Sequence, residues 1–134
     1  MTGGEPMMDK NTYKVFQYII DHPKQDLHLN ITSNMCPPDV KLKTRYFNML
    51  QEICLQKKVE HVMQFVSVDA YGKRAEYIRN GLDFNLMMDN VEEFLERIPY
   101  RNSITFICTY NNLSITSMDK LLEKILDLRQ KYSK

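Results

Sequence analysis

Hydrophobic residues recur along this chain at two different spacings, and the switches between them divide it into elements. Over residues 9–21, Tyr13, Phe16, Ile19 and Ile20 fall on one stripe at helical spacing before Pro23 ends the run. Residues 26–31 alternate instead, with Leu27, Leu29 and Ile31 separated by His28 and Asn30, which is the pattern of a short half-buried strand. Residues 31–36 have room for one helical turn ahead of Pro37 and Pro38. A proline suits the first helical position, because its φ is already helical and its missing N–H would have no partner there. The pattern accordingly predicts a helix over residues 38–56. Leu42, Phe47, Leu50, Ile53 and Cys54 trace its apolar face, and Lys41, Lys43, Thr44, Arg45, Asn48 and Gln51 mostly take the opposite side.

Residues 59–68 (VEHVMQFVSV) are rich in β-branched side chains and read as extended, although Val59, Val62, Met63 and Val66 also fit a helical period. Asp69-Ala-Tyr-Gly-Lys-Arg and then Ala75-Glu-Tyr-Ile-Arg follow. Two extended runs about Gly72, which can take positive φ, predict a β-hairpin with Lys73 and Arg74 at its tip over residues 69–79. Residues 84–98 form an unbroken helical stripe, residues 103–110 (SITFICTY) favour an extended segment, and residues 116–132 close the chain as a helix. Thr116 and Asp119 resemble a capping pair at its start.

With 134 residues there is room for one compact domain and a short appendage. No apolar run is long enough to span a membrane, and the first eight residues lack the features of a secretory signal. Residues 1–8, with two glycines and a proline, are expected to be a disordered leader. Cys36, Cys54 and Cys108 are odd in number, widely spaced and without a CxxC pair, which argues against a zinc site or disulfide framework. A reducing cytoplasm is the expected compartment. Cys54 lies on an apolar stripe and reads as an inert thiol; Cys36, beside the prolines, is the one candidate for redox chemistry. No metal-ligand spacing, Ser/His/Asp set, paired carboxylates or glycine-rich phosphate loop stands out, so neither catalysis nor a cofactor is expected.

The net charge of +1 conceals an uneven distribution. Residues 41–80 carry eight cations (Lys41, Lys43, Arg45, Lys57, Lys58, Lys73, Arg74, Arg79) against four acids (Glu52, Glu60, Asp69, Glu76). Positive charge gathered in the middle third is what a nucleic-acid footprint requires, although a solvated face can look the same.

In order, these elements are helix, short strand, helical turn, helix, hairpin and helix. The chain thereby resembles winged-helix regulators of the MarR, ArsR and PadR type over residues 9–82. Lys43-Thr44-Arg45-Tyr46-Phe47 with Leu50 is similar to their recognition helix, and Tyr71-Gly72-Lys73-Arg74-Ala75-Glu76-Tyr77 to their wing. The resemblance implies an α+β winged helix, a helix-turn-helix plus β-hairpin wing, over residues 9–82. Residues 83–134 would then be a C-terminal extension of amphipathic helices for homodimerisation.

A sequence-specific transcriptional regulator binding double-stranded DNA is the function so implied. Lys41, Lys43, Thr44, Arg45 and Asn48 would face the major groove, where Arg45 suits guanine and Asn48 adenine. Lys73 and Arg74 would reach the flanking backbone. Phe84, Met88, Val91, Leu95, Leu121, Leu122, Ile125 and Leu128 would supply the dimer contacts. The competing expectation is a winged-helix or all-α protein-interaction module, of viral type, that holds a protein partner through its C-terminal apolar helices.

Overall fold

The three strands found among the described residues run in the same direction. The computed structural model describes residues 4–98 and 100–132. In order it contains α1 (Lys10–Asp21), β1 (Lys24–Ser33), α2 (Val40–Leu55), β2 (Val59–Ser67), α3 (Lys73–Ile78), α4 (Phe84–Arg97), β3 (Asn102–Ile107), a 3-10 turn (Ile115–Ser117) and α5 (Met118–Tyr132). The sheet order is β1-β2-β3, with β2 parallel to both neighbours. Among the described residues no helix is long and apolar enough to cross a membrane.

The mixed α/β composition agrees with the sequence reading, but the strand pairing does not. Residues 69–79 hold a turn and the short helix α3 where a wing hairpin was expected. Gly72 does take positive φ (58°), yet it leads into a helical turn closed by bonds from the Ala75 and Glu76 N–H groups to its carbonyl. β2 pairs with β1 and β3 instead, because a helix of 16 residues joins β1 to β2. A connection of that length returns the chain to the end where it started and makes the pair parallel, whereas a hairpin would make it antiparallel. β3 comes from the segment expected to be a separate extension, so the boundary after residue 82 cuts through one sheet.

The expected turn at residues 31–36 is also absent: Ile31–Ser33 continue β1, and the next helix starts only after Asp39 caps it by accepting from the Lys41 N–H at 2.8 Å. Pro38 precedes the cap instead of opening the helix. The leader is not loose over residues 4–8, since Met7 is fully buried and its carbonyl accepts from the Tyr13 hydroxyl; residues 1–3 lie outside the described residues.

The core lies between one face of the sheet and a layer of helices. Leu29 and Ile31 of β1, with Val62 and Val66 of β2, are buried on that face. Phe16, Tyr46, Phe47 and Phe94 form a chain of ring contacts with centroids 5.4, 6.1 and 6.1 Å apart, joining α1 to α2 and α2 to α4. α5 lies beside α4, where Lys124 and Lys131 meet Glu92 at 3.0 and 2.7 Å.

Among the described residues no helix packs over the other face of the sheet. Its positions include Asp26, His28, Asn30 and Thr32 on β1, His61, Met63, Phe65 and Ser67 on β2, and Ser103, Thr105 and Ile107 on β3, all half-buried or exposed. Apart from Asp26 near the start of β1, none of these is Asp, Glu, Lys or Arg. His61 Nε2 and Ser103 Oγ are 2.8 Å apart across β2 and β3. Parallel sheets are ordinarily covered on both faces, so this bare side sets the fold apart.

Candidate nucleic-acid interface

α1 and α2 lie side by side, each burying an aromatic stripe and turning a polar one outward. On α1, Tyr13, Phe16 and Ile19 go inward while Lys10, Lys14 and Gln17, at i, i+4 and i+7, stay exposed. On α2, Tyr46, Phe47, Leu50, Ile53 and Cys54 are buried, and Val40, Lys41, Thr44, Arg45 and Asn48 are exposed. A groove of about 560 Å³ runs between the helices, lined by Gln17 and Ile20 from α1 and by Val40, Lys41, Thr44, Arg45, Asn48, Met49 and Glu52 from α2. A second hollow of about 440 Å³, lined by Lys10, Tyr13, Lys14, Gln17 and Arg45, shares Gln17 and Arg45 with it, so the two adjoin.

Arg45 sits over the Tyr13 ring, 4.3 Å from its centre. Such stacking fixes the guanidinium plane while leaving its N–H groups directed along the surface. Among the described residues Lys10, Lys14, Lys41 and Arg45 form no salt bridge. Every carboxylate in a bridge there belongs to Glu60, Asp69, Glu76, Glu92, Glu93 or Glu96. Glu52 is the one acid lining the groove.

Four of the expected DNA contacts, Lys41, Thr44, Arg45 and Asn48, are therefore brought together, though not all with free polar groups. Thr44 donates its hydroxyl to the Val40 carbonyl at 2.9 Å. Asn48 Oδ1 accepts from Arg97 at 2.5 Å, which occupies half of the amide that adenine recognition would use. Lys43 points to the other flank of α2, paired with Glu93 at 2.7 Å and only 19% exposed. Lys73 and Arg74 lie on α3, outside the groove: Lys73 pairs with Glu76 at 2.9 Å, and Arg74 donates to the Leu113 carbonyl at 3.1 Å. Sequence reasoning missed Lys10, Lys14 and Tyr13. Their polar stripe on α1 was readable, but its position next to α2 is a matter of tertiary packing.

Of the expected dimer contacts, Phe84, Met88, Val91, Leu121 and Leu128 are buried in the chain's own core. Leu95 and Ile125 are half-buried and line a cavity of about 430 Å³ with Ile104 and Phe106. Leu122 alone of the eight is exposed, at 54%.

All three thiols are free and held protonated. Burial pushes Cys54 up to about 12. Burial likewise raises Cys36, against a smaller lowering by its hydrogen bond with the Asp83 backbone. Among the described residues no three His, Cys, Asp or Glu side chains are placed to share a metal ion.

Compared with known proteins, the chain matches no family model, and no curated protein or solved structure is significantly similar to it.

Proposed function

We propose that the protein binds double-stranded DNA through the α1–α2 face and acts as a DNA-binding regulator, with its contacts directed mainly to phosphates. The observation that carries this reading is the pair of adjoining hollows lined by Lys10, Lys14, Lys41 and Arg45, none of them in a salt bridge among the described residues. Such cations attract phosphate whatever the base sequence, and each contact releases counterions. Thr44 and Asn48 are already engaged within the chain, which leaves the four cations as the free donors of this face. In a winged-helix mode of docking, Lys73 and Arg74 would flank the recognition helix from a hairpin. On this reading α1 takes that role, with Lys10 and Lys14 tracking the backbone. Titrating a labelled duplex at several salt concentrations tests the proposal. Four phosphate contacts predict a slope of about −3.6 in log K against log salt, and no binding at low salt overturns it.

A second reading, a protein-interaction module, is favoured by the bare sheet face. The uncharged positions around Phe65 and Met63 suit a protein surface better than a polyanion. A Phe65→Glu variant that loses a partner while retaining DNA binding would separate the two.

A further inference from the structure

The geometry points to a binding site for a small carboxylate at the carboxyl rim of the sheet, a place that Glu5 of the chain's own N-terminal segment occupies. Glu5 Oε1 accepts from the Ser33 hydroxyl at 2.5 Å and from the Met7 N–H at 3.3 Å, and Oε2 accepts from the Asn34 N–H at 3.0 Å. Ser33 and Asn34 are the last residue of β1 and the one after it, 28 and 29 positions from Glu5. Two donors from consecutive residues thus meet the two oxygens of one planar carboxylate. Charge-assisted bonds of this kind are about twice as strong as neutral ones.

The carboxylate does not fill the space around it. It borders a cavity of about 230 Å³ that Thr32, Ser67 and Arg79 also line. A water takes about 30 Å³ of liquid volume, so a molecule of several heavy atoms fits. Arg79 is fixed there by its Nε, which donates at 2.7 Å to Asp69, a carboxylate only 7% exposed. Asp69 is held in turn by the Thr109 N–H at 2.8 Å, beyond the end of β3. Among the described residues this leaves the terminal nitrogens of Arg79 without a hydrogen bond. The cavity therefore offers a cation, two hydroxyls and a ready-made carboxylate fork.

Its location agrees with a general property of open α/β sheets, in which ligands sit outside the carboxyl ends of the strands. Here the strand order never reverses, so no crevice opens between diverging crossovers, and the N-terminal segment forms the wall instead. An external carboxylate takes the place of the Glu5 side chain on Ser33 and Asn34 and extends toward Arg79. Because Glu5 is tethered, it competes at an effective concentration on the order of millimolar.

The test uses the full chain with Glu5→Ala, titrated with sodium acetate against a sodium chloride control, following the Asn34 amide and Arg79 Nε–H resonances. The site predicts that acetate moves both in Glu5→Ala, at least ~tenfold more tightly than in the wild type, and that Glu5→Ala/Arg79→Gln loses the response. The proposal is overturned if acetate moves neither signal, if wild type and Glu5→Ala bind alike, or if the double variant responds as the single one does. Inorganic phosphate in a parallel titration tests the ligand class, and tighter binding of phosphate than of acetate overturns the assignment to a carboxylate. Should Glu5→Ala not fold, Glu5→Gln keeps an acceptor for Asn34 without the charge and is read by the same outcomes.

Discussion

The hydroxyl of Tyr46 donates to the side-chain carbonyl of Gln64 across 2.8 Å, and neither residue is exposed to solvent. The Gln64 amide nitrogen donates onward to the carbonyls of Ile31 and Phe65, at 3.2 Å each. One polar side chain on the covered face of β2 thus ties α2 to β1. A buried polar group is tolerated when its partners are all present and costly when one is removed. Tyr46→Phe leaves Gln64 Oε1 without a partner and is expected to destabilise the fold by about 1–3 kcal/mol. Adding Gln64→Leu should cost less than the sum of the two single changes. Urea unfolding of the four proteins measures this, and strictly additive losses would refute the coupling.

The basic groove makes a graded prediction. Lys41→Ala and Arg45→Ala should each weaken duplex binding to a similar degree on unrelated sequences and reduce the salt slope by about one. Lys43→Ala and Lys73→Ala should leave binding close to wild type, because those ammonium groups are paired with Glu93 and Glu76. Fluorescence anisotropy across a salt series distinguishes these outcomes. A loss with Arg45→Ala on one sequence only would show that this side chain reads bases.

Gly72 is held at φ 58°, ψ −137°, a conformation that residues with a Cβ rarely enter. An added methyl would meet nothing within 4 Å, so sterics with neighbours play no part in the cost. Gly72→Ala should therefore lose about 1–3 kcal/mol through backbone strain alone, read as a lower urea midpoint with an unchanged slope. A variant as stable as the wild type would mean that the chain leaves this conformation without penalty.

How much of this could be read from the chain depends on what kind of relation each feature is. The four long helices were legible because each carries a stripe at one period, such as Phe84, Met87, Met88, Val91 and Phe94 on α4. β1 and β2 were legible because alternation survives in Leu29–Ile31 and Val62–Val66. Strand direction was not, since a period of two looks the same whichever way a neighbour runs. The clue lay in the helix between them: an amphipathic segment the length of α2 is a crossover as readily as a recognition helix. The wing failed for a similar reason. Gly72 and two cations mark a turn, but Arg79 is drawn away to Asp69, and Lys73–Ile78 coils. At the candidate interface, Lys41, Thr44, Arg45 and Asn48 came from the period of one helix, whereas Lys10, Lys14 and the Arg45–Tyr13 contact required knowing which helix lies alongside.

Acid should loosen the junction of α4 and α5. Hydrogen bonds from Lys131 and then Lys124 bring the Glu92 carboxyl down to about 2 from an ordinary 4.5. A folded-state value below the unfolded one means that stability is present above pH 4.5 and is lost as pH falls toward 2. The Glu92 side chain is 27% exposed, and solvent screening limits the contribution to about 1 kcal/mol. Glu92→Gln should flatten the stability profile over that window. Urea unfolding followed from pH 6 downward checks it, and superimposable profiles would refute the assignment.

The bare face of the sheet bears on how freely the chain can change. A residue in the core is constrained by its neighbours in the same molecule, since a smaller side chain leaves a void and a larger one a clash. Among the described residues no helix packs above His28, Met63, Phe65, Thr105 and Ile107, so fewer demands are placed on them from within. Intolerance to substitution there that is not matched by a loss of folding comes from outside the chain. A saturation scan scored separately for folding and for cellular function turns this into a measurement: where the two scores part company on that face, they trace the outline of whatever rests against it.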